Sequence, residues 1–354
     1  MDLDDPHEPL VLAYGSALRA LRYARATRGF VPWEPLTRAR QQRALERSAP
    51  RPARIDWVAL ERHGAWDPAD GAPLEVLVDR AGRRPADSSI RAHVLSTPLP
   101  SNSILRIEPE LYAVAPALAI VQFAEGHEWQ EVLALAFELL GAFSLCYADP
   151  MEGASYPWSA ATPTTALGYR SCEPALTALQ LARYLSFAKK IRGLRCARLA
   201  CGYALEGAAS PMEAIMAAQF HTPLRMGGFG IEDMRLNFRL DFTRDALLAS
   251  GMPYAVLDAY VKTAQATLEY NGHYHDAAHA RIHDEKRTAG LQAMGILTIP
   301  VNDEQLRDLD ALELIAKVLY RRQGRQFRYQ GTGYRPKQET LLNCLRTGFG
   351  LRPC

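Results

Sequence analysis

The chain of 354 residues is 48% hydrophobic and 23% charged, with a formal net charge of +2. This balance is typical of a folded globular protein and excludes a disordered chain, and the length predicts about two domains. The six cysteines lie scattered without a C-x-x-C pair, which argues against a disulfide framework and against a cysteine-based zinc site.

Residues 1–150 are predicted to form a mixed α/β domain. Apolar residues recur at helical spacing in one segment and alternate with polar residues in three short segments, which indicates an amphipathic helix followed by strands. A longer, mostly apolar segment then predicts a buried helix. The predicted elements are a helix over residues 10–26, strands at 74–78, 92–96 and 110–114, and a helix over 128–140.

The sequence predicts a cytoplasmic protein without a membrane partner. The acidic residues 1–5 lack the cationic and apolar regions of a secretory signal. The longest mostly apolar stretch, residues 132–148, is interrupted by Glu138 and is shorter than the roughly 20 residues that a membrane helix needs.

Arginines are concentrated near both ends of the chain. Ten lie between Arg19 and Arg54 against two glutamates, and the tail after residue 320 is rich in arginine with aromatic residues between the cations. Such segments are expected to follow a phosphate backbone, so DNA is a predicted partner, and the N-terminal region is predicted to bind DNA or another protein. Arg321, Arg322 and Arg325 are predicted substrate-binding residues. The alternative is that these cations are only solvated surface.

The rest of the chain is predicted to contain a linker with a helical connector (151–209), an α/β domain (210–323) and a basic tail (324–354). Ser210-Pro211-Met212-Glu213 has the pattern of a capping box, so a helix is expected to begin there. Two strands at 254–260 and 265–270 are close enough to form a hairpin. A helix from His275 or Asp276 to Gly295 and a strand at 296–301 complete the order helix, strands, helix, strand.

Two acidic residues of the predicted hairpin form the candidate site. Residues two apart in a strand share a face, so Glu269 and Asn271 point the same way, and a hairpin places Asp258 nearly opposite Glu269. Two carboxylates about 4 Å apart repel by about 4 kcal/mol at an effective dielectric constant near 20. Such a pair needs a cation or a shared proton. Oxygen ligands beside an amide favour Mg²⁺ or Mn²⁺, with Asp258 and Glu269 as the predicted metal ligands.

The same region resembles a known family. The order Asp258, Glu269, Asn271, Gly272, His275, Asp284, Arg287, Leu291, Gly295 is similar to the D…E-x-D-G-x-x-H…D-x-x-R…L…G pattern of small endonuclease-like domains. These domains are related to the very-short-patch-repair endonucleases of the PD-(D/E)XK superfamily. The resemblance implies a restriction-endonuclease-like α/β domain that hydrolyses phosphodiester bonds of DNA with a metal ion, in defence or repair.

Roles for individual residues follow from this resemblance. Glu213 matches the acidic residue that this superfamily often carries on the helix before the strands. His275 is expected to handle the proton of the attacking water, and Asn271 to position water or metal. Arg287 is expected to contact a phosphate.

The resemblance extends upstream in a looser form. Residues 210–230 and the helix containing Ser16-Ala17-Leu18-Arg19 are similar to uncharacterised actinobacterial proteins. Those proteins join an N-terminal region like that of AbiEi-type antitoxin regulators to this nuclease-like end.

One departure from the family pattern leaves other functions open. The position of the second acidic residue, or of the lysine of the wider superfamily, is held by Asn271, which brings no charge and cannot act as a base. A catalytically inert, antitoxin-like DNA-binding regulator is therefore one alternative, and a protein-interaction scaffold is another.

Simpler roles also remain for single residues. Capping alone would explain Glu213, and Asp284 and Arg287 have the spacing of a helical ion pair. His275, His279 and His283 share a helical face, which suits either a zinc site or a solvated surface.

Overall fold

The computed structural model describes residues 8–146, 168–271, 278–329 and 331–354. It confirms the predicted α/β class, because mixed sheets are present and the chain is about 47% helix and 19% strand. The chain divides into two compact units, residues 1–139 with 143–202 and residues 140–142 with 203–354. In the described ranges, no helix is both long and apolar enough to cross a membrane.

The first unit is built on a six-stranded sheet with the order β2-β5-β6-β1-β3-β4. The central strand β1 is parallel to β6 and antiparallel to β3, and its three residues are fully buried. The strands predicted at 74–78 and 110–114 and the helix at 128–140 are present, and the strand predicted at 92–96 lies at 90–94. The helix predicted over 10–26 begins only at Tyr14, because residues 10–12 pair with two neighbouring strands as β1. The elements are β1 (Leu10–Leu12), α1 (Tyr14–Arg28), β2 (Glu34–Pro35), α2 (Arg38–Arg47), α3 (Trp57–Arg62), β3 (Leu74–Val78), β4 (Ile90–Val94), β5 (Ile104–Glu108), β6 (Leu111–Val114), α4 (Pro116–Phe123), α5 (Trp129–Leu140), β7 (Phe143–Leu145), β8 (Tyr169–Ser171), α6 (Ala178–Phe187) and α7 (Leu194–Cys201).

Part of the N-terminal arginine cluster is buried inside this unit. Arg22 of α1 forms an ion pair with Glu138 of α5, with its Nε 2.8 Å from Oε1. Arg25 is fully buried and donates to the backbone carbonyls of Glu138 and Glu173. Arg19 is buried beside Asp70. Because these three guanidinium groups are used in internal contacts, neither a phosphate contact nor a solvated surface describes them. The predicted basic footprint loses these three arginines, whereas Arg28 at the end of α1 is exposed.

The predicted connector, residues 151–209, is not a separate segment in its second half. Helices α6 and α7 contact each other and pack against α4, which makes them part of the first unit. Their apolar faces explain this packing, since Leu181, Leu185 and Leu194 are buried. Residues 147–167 lie outside the described residues.

The second unit is built on a four-stranded sheet with the order β12-β11-β10-β9. Strands β9, β10 and β11 form an antiparallel meander, and β12 follows a helix and runs parallel to β11. The predicted order of helix, strands, helix and strand is therefore present, with β9 as an unpredicted additional strand. The elements are α8 (Pro211–His221), β9 (Met234–Asp241), α9 (Arg244–Ser250), β10 (Tyr254–Val261), β11 (Ala266–Asn271), α10 (Ala278–Ala293), β12 (Leu297–Asn302), α11 (Asp303–Arg307), α12 (Leu309–Arg322) and α13 (Tyr334–Gly348).

The predicted basic tail, residues 324–354, is largely a packed helix. Leu341, Leu342 and Leu345 of α13 are buried, and the helix contacts α8. Arg346 is also buried and donates through Nε to the carbonyl of Arg352 at 2.8 Å. The prediction of a separate basic tail is wrong for this helix because an apolar stripe at helical spacing runs beneath the cations.

Candidate functional site

The structure brings Asp258 and Glu269 together on neighbouring strands. The regular pairing of β10 with β11 includes Ala259 opposite Leu268, and one further step of the antiparallel register places residue 258 opposite 269. The backbone N–H of Tyr270 donates to Oδ2 of Asp258 at 2.8 Å, so the Asp258 side chain takes the place of a ladder partner there. The two carboxyl groups therefore lie where the strands stop pairing.

Glu269 is held between a hydroxyl group and a cation. It is 5% exposed and accepts a 2.5 Å hydrogen bond at Oε1 from the hydroxyl of Thr267, two residues earlier on the same face of β11. Its Oε2 forms an ion pair with Arg287 of α10, which also donates to the carbonyl of Val256 at 2.8 Å. Arg287 thus joins α10 to both strands, and its ion pair is with Glu269, where simple helical spacing had suggested Asp284.

Glu213 lies on the first turn of α8 and faces the same site. Its carboxylate accepts hydrogen bonds from the N–H of Ala209 and the hydroxyl of Ser210, both at 2.9 Å. The Nδ2 of Asn237 donates to Oε2 at 3.1 Å. The helix begins as predicted, with Ser210 as its N-cap residue. In a standard capping box Glu213 would accept from the backbone N–H of Ser210, whereas here it accepts from that of Ala209. Glu213 therefore caps the helix and also adds a third carboxyl group, itself buried, to the site.

Asn237 is a site residue that the sequence analysis did not identify. It lies in the middle of β9 with a positive φ of 45°, a left-handed conformation that asparagine tolerates better than most residues. The β9–β10 register pairs Phe238 with Leu257 and Leu236 with Ala259, so Asn237 falls opposite residue 258. The alternation of apolar and polar residues in Met-Arg-Leu-Asn-Phe-Arg-Leu-Asp is the signal that could have predicted this strand.

Burial raises the pKa values of all three carboxyl groups, and the negative charge of Asp258 adds to this effect at Glu269 and Glu213. Burial raises the pKa of Glu269 to about 7, and the negative charge of Asp258 adds to the effect, while Arg287 and Thr267 oppose it. Burial followed by the charge of Asp258 raises the pKa of Glu213. Burial also raises the pKa of Asp258, against the Tyr270 N–H bond and the charge of Arg287. Among the described residues, the site therefore carries more carboxyl groups than the charge of Arg287 balances.

This electrostatic arrangement predicts a stability that falls as pH rises. The folded protein holds a proton on Glu269 up to about pH 7, whereas the unfolded chain releases it near the ordinary value of 4.5. Stability is then highest below the unfolded value and decreases through that window, by about 3 kcal/mol if Glu269 acts alone. Denaturant unfolding of the second unit at several pH values in EDTA measures the slope. Glu269→Gln should flatten it, and a wild-type stability that stays level or rises from pH 5 to 8 would contradict the assignment.

The other predicted site residues are placed differently. Asn271 is the exposed last residue of β11, paired with Asn302 of β12. Arg322 donates to the carbonyls of Ala264, Gln265 and Gly295, at the far end of the hairpin from Asn271. Its donors are thus used to fix the β10–β11 turn.

Two further tail arginines are not brought to the acidic site. Arg325 lies over the ring of Tyr320, 5.0 Å from its centroid, and Arg321 is exposed at the end of α12. His275 lies outside the described residues, as do the side chains of His279 and His283, so their predicted roles stay predictions.

The donor set of the site suits a hard divalent cation. Among the described residues, no group of three or more His, Cys, Asp or Glu side chains is arranged to hold a metal ion. Mg²⁺ is commonly held by one or two carboxylates, with water and substrate phosphates completing its shell. Asp258 and Glu269 match that requirement, because each carboxylate has lone pairs beyond those used by Tyr270, Thr267 and Arg287. A divalent cation would also offset the excess negative charge.

Comparison with protein-family models, with curated proteins and with solved structures finds no match to this chain. The resemblance to PD-(D/E)XK endonucleases is neither supported nor contradicted by these comparisons.

Proposed function

We propose that the second unit is a metal-dependent nuclease-like domain that hydrolyses phosphodiester bonds of DNA at the site formed by Asp258 and Glu269. The observation that carries the proposal is that the buried Glu269 and the half-buried Asp258 lie opposite each other where β10 and β11 stop pairing. Glu213, on the helix before the strands, supports it, since the resemblance expects an acidic residue there. The order of helix, strands, helix and strand in this unit is a further support.

Hydrolysis of a phosphodiester forms a bond between the oxygen of water and phosphorus, breaks one P–O bond to a sugar, and transfers a proton from the water to the departing sugar oxygen. Mg²⁺ or Mn²⁺, when bound, supplies charge stabilisation and a lower pKa for water. The carboxylates of Asp258 and Glu269 would hold the ion. His275 remains the predicted acceptor for the proton of the water.

The other residues would position this machinery. The hydroxyl of Thr267 and the guanidinium of Arg287 fix the two oxygens of Glu269. Asn237 links Glu213 of α8 to β9, the strand that pairs with the Asp258 strand β10. The exposed amide of Asn271 lies two residues beyond Glu269 on the same strand and would orient water or substrate by hydrogen bonding. Arg287 would contact a phosphate if it left Glu269.

A catalytically inert DNA-binding regulator is the second candidate. The specific observation that favours it is the Arg287–Glu269 ion pair, since an internal cation already sits on one predicted metal ligand. The neutral side chain of Asn271 also favours the inert regulator.

Asn271→Asp separates the two candidates. The change adds a carboxylate to an acidic site, so we expect a slightly lower melting temperature in EDTA, a larger stabilisation by Mn²⁺ and a cleavage rate above that of the wild type. Thermal unfolding with and without Mn²⁺, read beside plasmid nicking, measures both effects. Asn302→Asp, on the neighbouring strand end, is the matched control. If neither the wild type nor Asn271→Asp responds to metal or cuts DNA, the inert regulator replaces the nuclease.

A further inference from the structure

One face of the β9–β10 pair is exposed beyond the acidic site. Along β10, the alternate residues Tyr254 and Val256 are 36% and 42% exposed. The residue that follows each of them, Ala255 and Leu257, is buried and packs with Leu291 of α10. The register pairs Val256 with Arg239 and Tyr254 with Asp241, so these four side chains share the exposed face. Asp258 follows Val256 by two residues on the same strand.

Arg239 and Tyr254 form a stacked pair on this face. We call the surface of Arg239, Tyr254 and Val256 the stacking face. The guanidinium carbon of Arg239 lies 3.8 Å from the centroid of the Tyr254 ring. The same guanidinium forms a 3.0 Å ion pair with Asp241, and its side chain is still 61% exposed. Its charge is therefore partly balanced, and what it presents to solvent beside the ring and Val256 is a planar, weakly charged surface.

Such a surface suits the face of a nucleic-acid base more than a phosphate. Bases of single strands stack on aromatic rings and on arginine planes, whereas the bases of a duplex have their faces covered by their neighbours. An exposed valine beside the pair adds apolar contact, which a phosphate backbone does not use.

We infer that the stacking face, Arg239, Tyr254 and Val256, binds an unpaired base of a single-stranded or locally opened nucleic acid whose backbone passes the Asp258–Glu269 site. The inference rests on the proposed function and specifies its substrate class. Tyr254 and Asp258 are separated by four residues of one strand, about 13 Å at about 3.3 Å per residue. That distance corresponds to roughly two to four nucleotides, so the stacked base lies a few positions from the phosphate at the acidic site.

Binding without cleavage tests the inference separately from the nuclease proposal. Fluorescence anisotropy of a labelled oligothymidylate and of a duplex of equal length is measured in EDTA, with the full chain. We expect the wild type to prefer the single strand. Tyr254→Ala and Arg239→Ala should each weaken single-strand binding about tenfold, while Tyr254→Phe keeps it, because the ring and not the hydroxyl group makes the contact. Tyr254→Leu, apolar but without a ring, should behave like Tyr254→Ala.

Two controls keep the test sharp. Tyr169→Ala removes a similarly exposed tyrosine of the first unit and should leave binding unchanged. Melting temperatures of all variants show that the second unit stays folded, as expected for exposed positions.

Three results would each overturn the inference. They are equal single-strand binding by the wild type and Tyr254→Ala, a preference for duplex that neither substitution changes, and no binding of the single strand. If Tyr254→Ala still cleaves DNA in Mn²⁺ and binds the single strand as tightly as the wild type, the inference is overturned while the nuclease proposal stands. Conversely, single-strand binding lost in Tyr254→Ala without any metal-dependent cleavage supports the stacking face and removes the nuclease.

Discussion

Asp258→Ala is expected to abolish both metal stabilisation and DNA cleavage. Charge stabilisation by a bound divalent cation contributes several kcal/mol to hydrolysis, so losing one of its two carboxylates should lower the rate by about a thousandfold or more. The metal-dependent rise in melting temperature should disappear as well, since the remaining ligand, Glu269, is already paired with Arg287. Plasmid nicking and thermal unfolding in Mn²⁺ measure the two losses in parallel.

Asp258→Asn separates charge from structure in this prediction. Its side-chain oxygen can still accept the hydrogen bond from the N–H of Tyr270, and it no longer repels Glu213 and Glu269. Apo stability should therefore be equal to or above that of the wild type, while metal response and cleavage are lost. Asp245→Asn, which neutralises an exposed carboxylate of α9, serves as the control and should change neither. Retained cleavage in Asp258→Asn would remove Asp258 from the metal site.

Arg287→Ala is expected to destabilise the second unit strongly in a pH-dependent way. The guanidinium faces a buried carboxylate and a backbone carbonyl, so its removal leaves Glu269 next to Asp258 without a cation. Breaking a buried ion pair on one side costs several kcal/mol, and because Arg287 is partly exposed we expect about 2 to 3 kcal/mol at pH 8. The cost should be much smaller at pH 5, where Glu269 is protonated in the folded protein.

Two comparisons define the outcome for Arg287. In a Glu269→Gln background, Arg287→Ala should reduce the free energy of unfolding only slightly, because the Arg287–Glu269 ion pair has already been removed. Mn²⁺ should restore stability to Arg287→Ala more than to the wild type, since the metal then replaces the missing cation. Arg307→Ala, which breaks an exposed pair with Asp303, should cost less than about 1 kcal/mol and is the control. A cost at pH 5 equal to that at pH 8 would show that Arg287 acts through packing alone.

Short-range patterns were sufficient to predict much of the second unit. The proline and serine before α8, the two short strands of the hairpin and the strand at 296–301 all carry local signals, and the hairpin spacing placed Asp258 opposite Glu269. The site within that hairpin follows from strand geometry alone, because the register of a tight hairpin fixes which side chains face each other.

Other parts depend on contacts between distant residues, which a local pattern does not encode. The burial of Arg22 depends on Glu138 of a helix more than a hundred residues away, and the use of Arg287 by Glu269 depends on how α10 crosses the sheet. The packing of α13 depends similarly on α8. Asn237 was missed although its strand alternates regularly, since a positive φ in the middle of a strand has no composition signal beyond the asparagine itself.

Anomalous diffraction from crystals of the full chain soaked in Mn²⁺ locates the metal ion that the proposed function requires. We expect a single strong anomalous peak in the second unit, within coordination distance of both the Asp258 and Glu269 carboxylates, and no such peak from Asp258→Asn crystals soaked in the same way. A Mn²⁺ peak elsewhere, or no peak with Arg287 still bound to Glu269, would contradict the claim that these two carboxyl groups form a metal site.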